Sequence, residues 1–221
     1  MWGCIVDLTD KRFYYPRAYS VGVDLGQSFD PTAIAICERI EAKPGPDVKD
    51  KPPPSEYNIR HLERLPLGTP YPAVVGHVLG LLCRDPLATH KTLTLVDHTG
   101  VGKAVFEMFQ AAHIKDLKGI TITGGNDVTK TDLGWHVPKL ELISRVQAKL
   151  HSGQLAIEPT LMDAQALLRE FQEFRGTFTS AGNVIFNARQ GAHDDLVLAV
   201  ALAVFGATER VPQARMFRLA L

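Results

Sequence analysis

The sequence has few cysteines, no net charge and no apolar run long enough to cross a membrane. Only three cysteines occur in 221 residues, and the absence of a C-x-x-C pair argues against a disulfide framework and a zinc ribbon. The longest apolar stretch, residues 196–205, is shorter than the about 20 residues of a membrane-spanning helix. The first residues lack the apolar core of a signal peptide. These absences predict a protein of the reducing cytoplasm.

Charge and motif content exclude two further properties, namely recruitment of nucleic acid or membrane by a global positive field and ATP hydrolysis by a phosphate loop. Basic and acidic side chains both number 24, so no global positive field attracts nucleic acid or an anionic membrane. Any contact with DNA must therefore use a local basic surface. The sequence contains no G-x-x-x-x-G-K-[ST] loop, which excludes ATP hydrolysis by a phosphate loop of that kind.

The length and composition predict one globular domain with additions at both ends. Hydrophobic residues make up 45% and charged residues 22%, which is ordinary for a protein that buries a core. We expect a lead-in or linker at residues 1–19, the folded domain at 20–208 and a basic tail at 209–221. Five prolines in residues 41–55 predict an exposed loop.

The order of the predicted elements favours an α/β fold. Strands over residues 19–25, 32–40 and 57–65 follow one another through short or flexible connections, which predicts an antiparallel meander. The second half alternates helices with strands over 92–96 and 119–123, which is typical of parallel pairing. We therefore predict a central mixed five-stranded sheet flanked by helices.

Two features near the C-terminus complete this expectation. Alternating residues over 177–186 surround a Ser-Ala-Gly-Asn turn and predict an added β-hairpin. Residues 194–205 predict a helix that is apolar on every face and therefore buried. Asp194 and Asp195 open this helix. One aspartate is enough to cap a helix, at about 1 kcal/mol, so the second indicates a site, with capping as the structural alternative.

Four acidic side chains lie at the ends of predicted elements. Asp24 closes the first strand, Asp97 closes the fourth, and Asp194 and Asp195 open the last helix. If the helix packs across both strands, all four meet at one edge of the sheet, where open α/β sheets bind ligands. Carboxylates that lie so close repel one another unless cations fill the cluster. Hard oxygen ligands prefer Mg²⁺ or Mn²⁺, and two such ions can clamp a phosphodiester.

Glycines and histidines accompany these acids. Four glycines flank or follow the two strand-end aspartates, namely Gly22, Gly26, Gly100 and Gly102. They would let a phosphate backbone approach, or they would form tight turns. His98 and His193 adjoin acids and are candidates for outer contacts of a metal site, with ordinary hydrogen-bonded histidines as the alternative.

Three sequence blocks resemble the nuclease domain of the large terminase subunit of tailed phages, which has the RNase H-like fold. The blocks are residues 22–35 (GVDLGQSFDPTAIA), 95–102 (LVDHTGVG) and 191–199 (GAHDDLVLA). Residues 123–139 are also similar to the family. Together the similar segments span nearly all of residues 20–206. The resemblance departs from the family pattern at His98, where a small residue is expected.

The resemblance implies a metal-dependent DNA endonuclease that cuts concatemeric viral DNA during genome packaging. It implies that Asp24, Asp97 and Asp195 are catalytic ligands of two Mg²⁺ or Mn²⁺ ions, with Asp194 as a further ligand or an outer partner. It also implies double-stranded DNA as the substrate. The implied partners are an ATPase motor domain, the small terminase and the portal. Because the phosphate loop is missing, we expect an excised domain or a stand-alone relative, acting in the bacterial host cell.

Basic residues in the family-like region are candidates for contact with DNA phosphates. We expect Lys130, Lys139 and Lys103 to make such contacts, since Lys139 lies in a family-like block and Lys103 follows Gly102. Arg145 and Lys149 are further candidates, with a solvated helix face as the structural alternative.

Three other functions are compatible with parts of the pattern. A resolvase or a ribonuclease H would use the same acids and differ only in its substrate. A catalytically silent DNA-binding module of a packaging machine would bind no metal. An actin-like ATPase shares the Asp-Leu-Gly at Asp24, but its two lobes need more than 221 residues.

Overall fold

The computed structural model describes residues 7–26, 30–99, 102–173, 175–178, 184–187 and 194–209. The strands are β1 (Phe13–Tyr14), β2 (Arg17–Asp24), β3 (Ala33–Ile40), β4 (Lys43–Pro44), β5 (Glu56–Arg64), β6 (Lys91–Asp97), β7 (Leu117–Thr123), β8 (Thr129–Lys130), β9 (Gly134–Pro138), β10 (Leu155–Ile157), β11 (Arg175–Phe178) and β12 (Val184–Asn187). The helices are α1 (Tyr71–Leu82), α2 (Gly102–Ala111), α3 (Lys139–His151), α4 (Ala164–Glu173) and α5 (Asp195–Thr208).

Eight strands form one mixed sheet in the order β10-β5-β3-β2-β6-β7-β9-β8. Strands β2, β3 and β5 pair antiparallel, whereas β2, β6, β7 and β9 pair parallel. The five strands predicted from the sequence are the five central ones, so the mixed α/β sheet is confirmed. The sheet is wider than predicted because β10, β9 and β8 extend its edges. Strands β9 and β8 have five and two residues, too few to show a clear period in the sequence.

The predicted hairpin is present as the antiparallel pair β11–β12. Its turn lies outside the described residues. A second small pair joins β1 to β4, so that Phe13 lies opposite Pro44. Strand β2 begins at Arg17. The last three residues of the segment expected as a lead-in, Arg17 to Tyr19, therefore already pair with β3 in the sheet.

Helix α5 forms the centre of the core. Its residues from Asp195 to Ala207 are all buried, as the apolar sequence predicts. It lies across β2, β3 and β6 on one face of the sheet, and α3 and α4 cover it from outside. Helices α1 and α2 pack on the opposite face. Within the described part of the chain, no helix has the length and apolar character needed to cross a bilayer.

Gly22 allows α5 to approach the sheet closely. A Cβ atom at this position would lie 2.2 Å from the Ala199 carbonyl oxygen and 2.5 Å from the Ala203 amide nitrogen. Backbone atoms cannot yield as a flexible side chain can, so only glycine fits here. The space beside Gly22 therefore receives the helix, whereas the sequence pattern suggested room for a phosphate backbone.

We predict that Gly22→Ala lowers the free energy of unfolding by about 3 kcal/mol, because the added methyl group forces α5 away from β2. The matched control is Gly76→Ala in the exposed part of α1, where an added Cβ meets nothing within 4 Å. This control should gain about 1 kcal/mol from its higher helix propensity. Urea unfolding of both variants measures the difference, and equal effects would contradict the close approach.

Candidate metal centre

Asp24 and Asp97 end two neighbouring parallel strands. Strand β2 pairs with β6 in the register that places Val23 beside Val96, so the two aspartates follow on adjacent strands. Neighbouring strands lie about 4.8 Å apart. Asp24 is buried, with 8% of its surface exposed, and Asp97 is partly buried. Two carboxylates therefore project from the same edge of the sheet.

Asp194 and Asp195 join this edge from the N-terminus of α5. Burial is the largest effect that raises the pKa of Asp24 well above its ordinary value, and the charges of Asp97, Asp195 and Asp194 follow in that order. Lys139 acts in the opposite direction. The four acids predicted from the sequence thus lie close enough to repel one another around Asp24.

Cations hold the two acids of α5. The Lys139 ammonium donates a hydrogen bond of 2.7 Å to Asp194 Oδ2. The Arg64 guanidinium lies with Nε 3.6 Å from Asp195 Oδ2 and also pairs with Glu170. Lys139, predicted to contact DNA, therefore lies at the acid cluster itself.

Asp97 is held by its own loop. Its Oδ1 atom accepts hydrogen bonds from the Thr99 amide at 2.8 Å and from the Thr99 hydroxyl at 2.5 Å. Burial raises the pKa of Asp97, and the two Thr99 hydrogen bonds, His98 and Lys139 oppose that rise. The carboxylate is consequently fixed in orientation beside Asp24.

In the described part of the chain, no three ligating side chains already surround one point that could hold a metal ion. Three of these acids lie against other groups instead: Asp194 pairs with Lys139, Asp195 lies near Arg64, and Asp97 accepts hydrogen bonds from Thr99. The donor set itself fits a hard divalent cation, because it consists of carboxylate oxygens gathered at a buried sheet edge. Such a cation would offset the repulsion around Asp24.

Capping does not explain the two acids of α5. Asp194 occupies the N-cap position but makes no side-chain capping hydrogen bond. Glu170 on α4 supplies that bond instead, since its Oε2 accepts from the Val197 amide at 3.0 Å. The same carboxylate pairs with Arg64, so Glu170 links the helix end to the cation beside Asp195.

Sequence reasoning missed Arg64 and Glu170. Arg64 ends β5, and its amide donates a 2.8 Å hydrogen bond to Asp163 Oδ2. Glu170 is 6% exposed, although it lies in a helix with alternating polar residues. An acid on the inner side of an amphipathic helix was the available signal, but its partner lies 106 residues away in the sequence.

His98 lies between α2 and β7. Its ring packs edge-on against Phe106, and its Nδ1 is 3.3 Å from the Thr121 hydroxyl. A Cβ atom on Gly119 would lie 2.2 Å from the His98 ring. Gly119 therefore provides the space for the larger side chain where the family pattern predicted a small residue.

The remaining sequence candidates differ in their surroundings. Lys130 is exposed on the edge strand β8. Arg145 pairs with Glu141 and Glu209 at 2.7 Å each and lies over the Phe205 ring, so it stabilises the packing of α3 on α5. The Lys103 side chain and all of His193 lie outside the described residues.

Comparison with solved structures identifies the fold. No family model matches the sequence, and no curated protein matches it either. The chain is similar to the large terminase nuclease from thermophilic phage G20c with bound magnesium, with 22% identity and a TM-score of 0.59 over 86% of this chain and 81% of that one. The chain has the fold of a large terminase nuclease domain. The predicted RNase H-like fold is thereby confirmed.

Two further solved structures are similar to this chain. The G20c nuclease with bound cobalt has 23% identity and a TM-score of 0.56, over 86% of this chain and 81% of that one. The large terminase nuclease domain of Thermus phage P74-26 has 20% identity and a TM-score of 0.55, over 85% of this chain and 78% of that one. The similarity therefore extends over most of each domain.

We predict that Asp24→Asn raises the melting temperature of the metal-free protein at neutral pH. Because the folded state raises the pKa of Asp24, this acid contributes full stability below its ordinary pKa of 3.8 and loses it as the pH rises through the folded-state value. The neutral amide removes that loss. Thermal unfolding in EDTA across pH 4 to 8 measures the effect, and Asp116→Asn, an exposed position with φ of 48°, is the control.

Mn²⁺ should reverse the order of the melting temperatures of the parent protein and the Asp24→Asn variant. The parent should gain melting temperature on addition of the ion, because the ion removes the repulsion around Asp24. Asp24→Asn should gain much less. Equal gains in both proteins would show that the ion binds elsewhere.

We predict that Glu170→Ala lowers the free energy of unfolding by about 3 kcal/mol, because it leaves the Arg64 charge and the Val197 amide without their acceptor. Glu170→Gln keeps an oxygen for the amide and should lose less. Gln172→Ala, at an exposed position of the same helix, is the control. Chemical denaturation measures all three, and a loss below about 1 kcal/mol for Glu170→Ala would contradict the linking role.

Proposed function

We propose that this chain is a Mg²⁺- or Mn²⁺-dependent endodeoxyribonuclease of the large terminase type, which cuts concatemeric viral DNA during genome packaging. The observation that carries the proposal is the convergence of Asp97, Asp194 and Asp195 on the buried Asp24. This convergence costs stability unless divalent cations compensate it. The terminase nuclease fold supports the same function, since the similar G20c nuclease has been solved with bound magnesium and with bound cobalt.

Asp24, Asp97 and Asp195 would hold the ions, with Asp194 as a further ligand or an outer partner. When bound, a pair of divalent ions supplies an activated water and stabilises the leaving oxygen of a phosphodiester. The chain itself fixes the acids: strand ends orient Asp24 and Asp97, and the N-terminus of α5 carries the other two.

The cations beside the acid cluster have different roles in this proposal. Arg64 holds Asp195 in place through its link to Glu170. Lys139 balances Asp194 and lies at the acid cluster, so it contacts the DNA strand once metal compensates the acids. Lys130 and Lys103 extend the DNA contact from neighbouring elements. His98 and His193 remain candidates for outer contacts.

The substrate is double-stranded DNA of a phage or prophage in the bacterial host cell. The ATPase activity that drives packaging belongs to a motor domain, since this sequence has no phosphate loop. The small terminase and the portal complete the proposed packaging complex.

Cleavage of supercoiled plasmid tests the proposal. The parent should nick and linearise plasmid in Mg²⁺ or Mn²⁺ and not in EDTA. Asp24→Asn and Asp195→Asn should reduce the rate at least about 1000-fold, which corresponds to about 4 kcal/mol of lost transition-state stabilisation. Asp116→Asn should cut as the parent does, since it lies away from the acids. Unchanged rates in both site variants would exclude the acid cluster as the active site.

The same protein preparations distinguish the alternatives. Comparison of linear duplex, a four-way junction and an RNA–DNA hybrid separates a terminase nuclease from a resolvase or a ribonuclease H. A parent that binds duplex but cuts none of these substrates, and that gains no stability from Mn²⁺, would be a silent DNA-binding module.

A further inference from the structure

A polar cavity of about 390 Å³ lies at the end of the sheet opposite the acid cluster. Arg39 lines it from β3, six residues beyond Ala33, which pairs with Asp24. At about 3.4 Å per residue, the cavity is therefore about 20 Å from the acids. Helix α3 connects the two places, because it begins with Lys139 beside Asp194 and reaches the cavity at Lys149.

Cations dominate the walls of this cavity. Arg39, Arg145 and Lys149 line it, and none of the described lining residues is acidic. Arg145 is compensated by its two glutamates. Arg39 forms an ion pair at 3.2 Å with the partly exposed Glu41, and its Nη1 atom donates a 3.5 Å hydrogen bond to the Ala207 carbonyl oxygen.

Lys149 has no carboxylate partner among the described residues. Its ammonium donates a 3.1 Å hydrogen bond to Gln154 Oε1 and lies 4.7 Å from the centre of the Tyr57 ring. Gln154 is fixed in turn by its bond to the Ser55 carbonyl oxygen at 3.0 Å. The ammonium is thus held in one position by neutral groups.

Arg39 adds a donor that lacks an acceptor. Its Nε atom is buried and has no hydrogen-bond partner. Burial and then the charge of Arg39 lower the pKa of Lys149, so the two cations repel each other across the cavity. Two convergent positive charges attract an anion, as the acids at the other end attract a cation.

We propose that this cavity binds a phosphate group, held by Lys149 and Arg39. The polar walls suit a hydrophilic tetrahedral anion, to which Lys149 presents an ammonium and Arg39 a guanidinium. In the complex with DNA, which rests on the function proposed above, the group is a backbone phosphate. A distance of about 20 Å corresponds to about six base pairs along a duplex, at 3.4 Å per phosphate of one strand.

Inorganic phosphate tests the site without DNA. In EDTA and at constant ionic strength, replacing chloride by phosphate should raise the melting temperature of the parent. Lys149→Gln and Arg39→Gln should lose this rise, and Lys149→Arg should retain it. Lys115→Gln, an exposed cation outside the cavity, is the matched control and should behave as the parent does.

A labelled DNA duplex tests the source of the phosphate. Fluorescence anisotropy in EDTA at several salt concentrations should show about tenfold weaker binding for Lys149→Gln at low salt. The slope of log affinity against log salt should fall by about 0.9, the value for one lost phosphate contact. Lys115→Gln should change neither quantity.

The outcomes separate the possibilities. If Lys149→Gln loses both the rise in melting temperature with phosphate and the affinity for DNA, the result supports a DNA phosphate. If it loses only the rise with inorganic phosphate, the result supports a free phosphate ligand and overturns the DNA contact. If Lys149→Gln and Arg39→Gln match the parent in both assays, the cavity is not a phosphate site. Because neither assay contains metal, that result would leave plasmid cleavage by the parent, and hence the proposed nuclease function, standing.

Discussion

Repulsion among four carboxylates is the constraint on which this structure depends. Burial and three neighbouring acids raise the pKa of Asp24, so its charged form is costly in the metal-free fold. Lys139 and Arg64 compensate the two acids of α5, while nothing cationic binds Asp24 directly among the described contacts. The protein thus maintains a cluster in which the charged form of Asp24 is costly without added positive charge. This is the electrostatic condition under which a divalent cation binds tightly.

The buried helix makes this arrangement possible. Helix α5 can carry two acids to the sheet edge because the rest of its surface is apolar and enclosed. Gly22 lets its backbone approach β2 at a distance that no other residue permits. Glu170 accepts the hydrogen bond from the first turn of the helix, so capping does not require Asp194 or Asp195. The packing of α5 on the sheet, its capping by Glu170 and the position of the acid cluster therefore depend on one another.

Charge is separated along the molecule although the net charge is zero. The N-termini of α3 and α5 lie at the acid cluster, and their C-terminal ends lie at the cavity lined by Arg39 and Lys149. Opposite charges thus gather at opposite ends of the same helices. A neutral protein can in this way present an acidic and a basic surface at separate places, without a global field.

The sequence alone determined the five central strands, the buried helix and the four acids, because each produces a local pattern: alternation, an unbroken apolar run, or an acid at the end of an element. Only the tertiary structure decided the role of Gly22, the capping by Glu170 and the pairing of Arg64 with Asp195. Their partners are distant in the sequence, and contacts of this kind leave no periodic signal. The convergence of Arg39 and Lys149 has the same origin, since strand pairing and helix packing bring them together only in the folded chain.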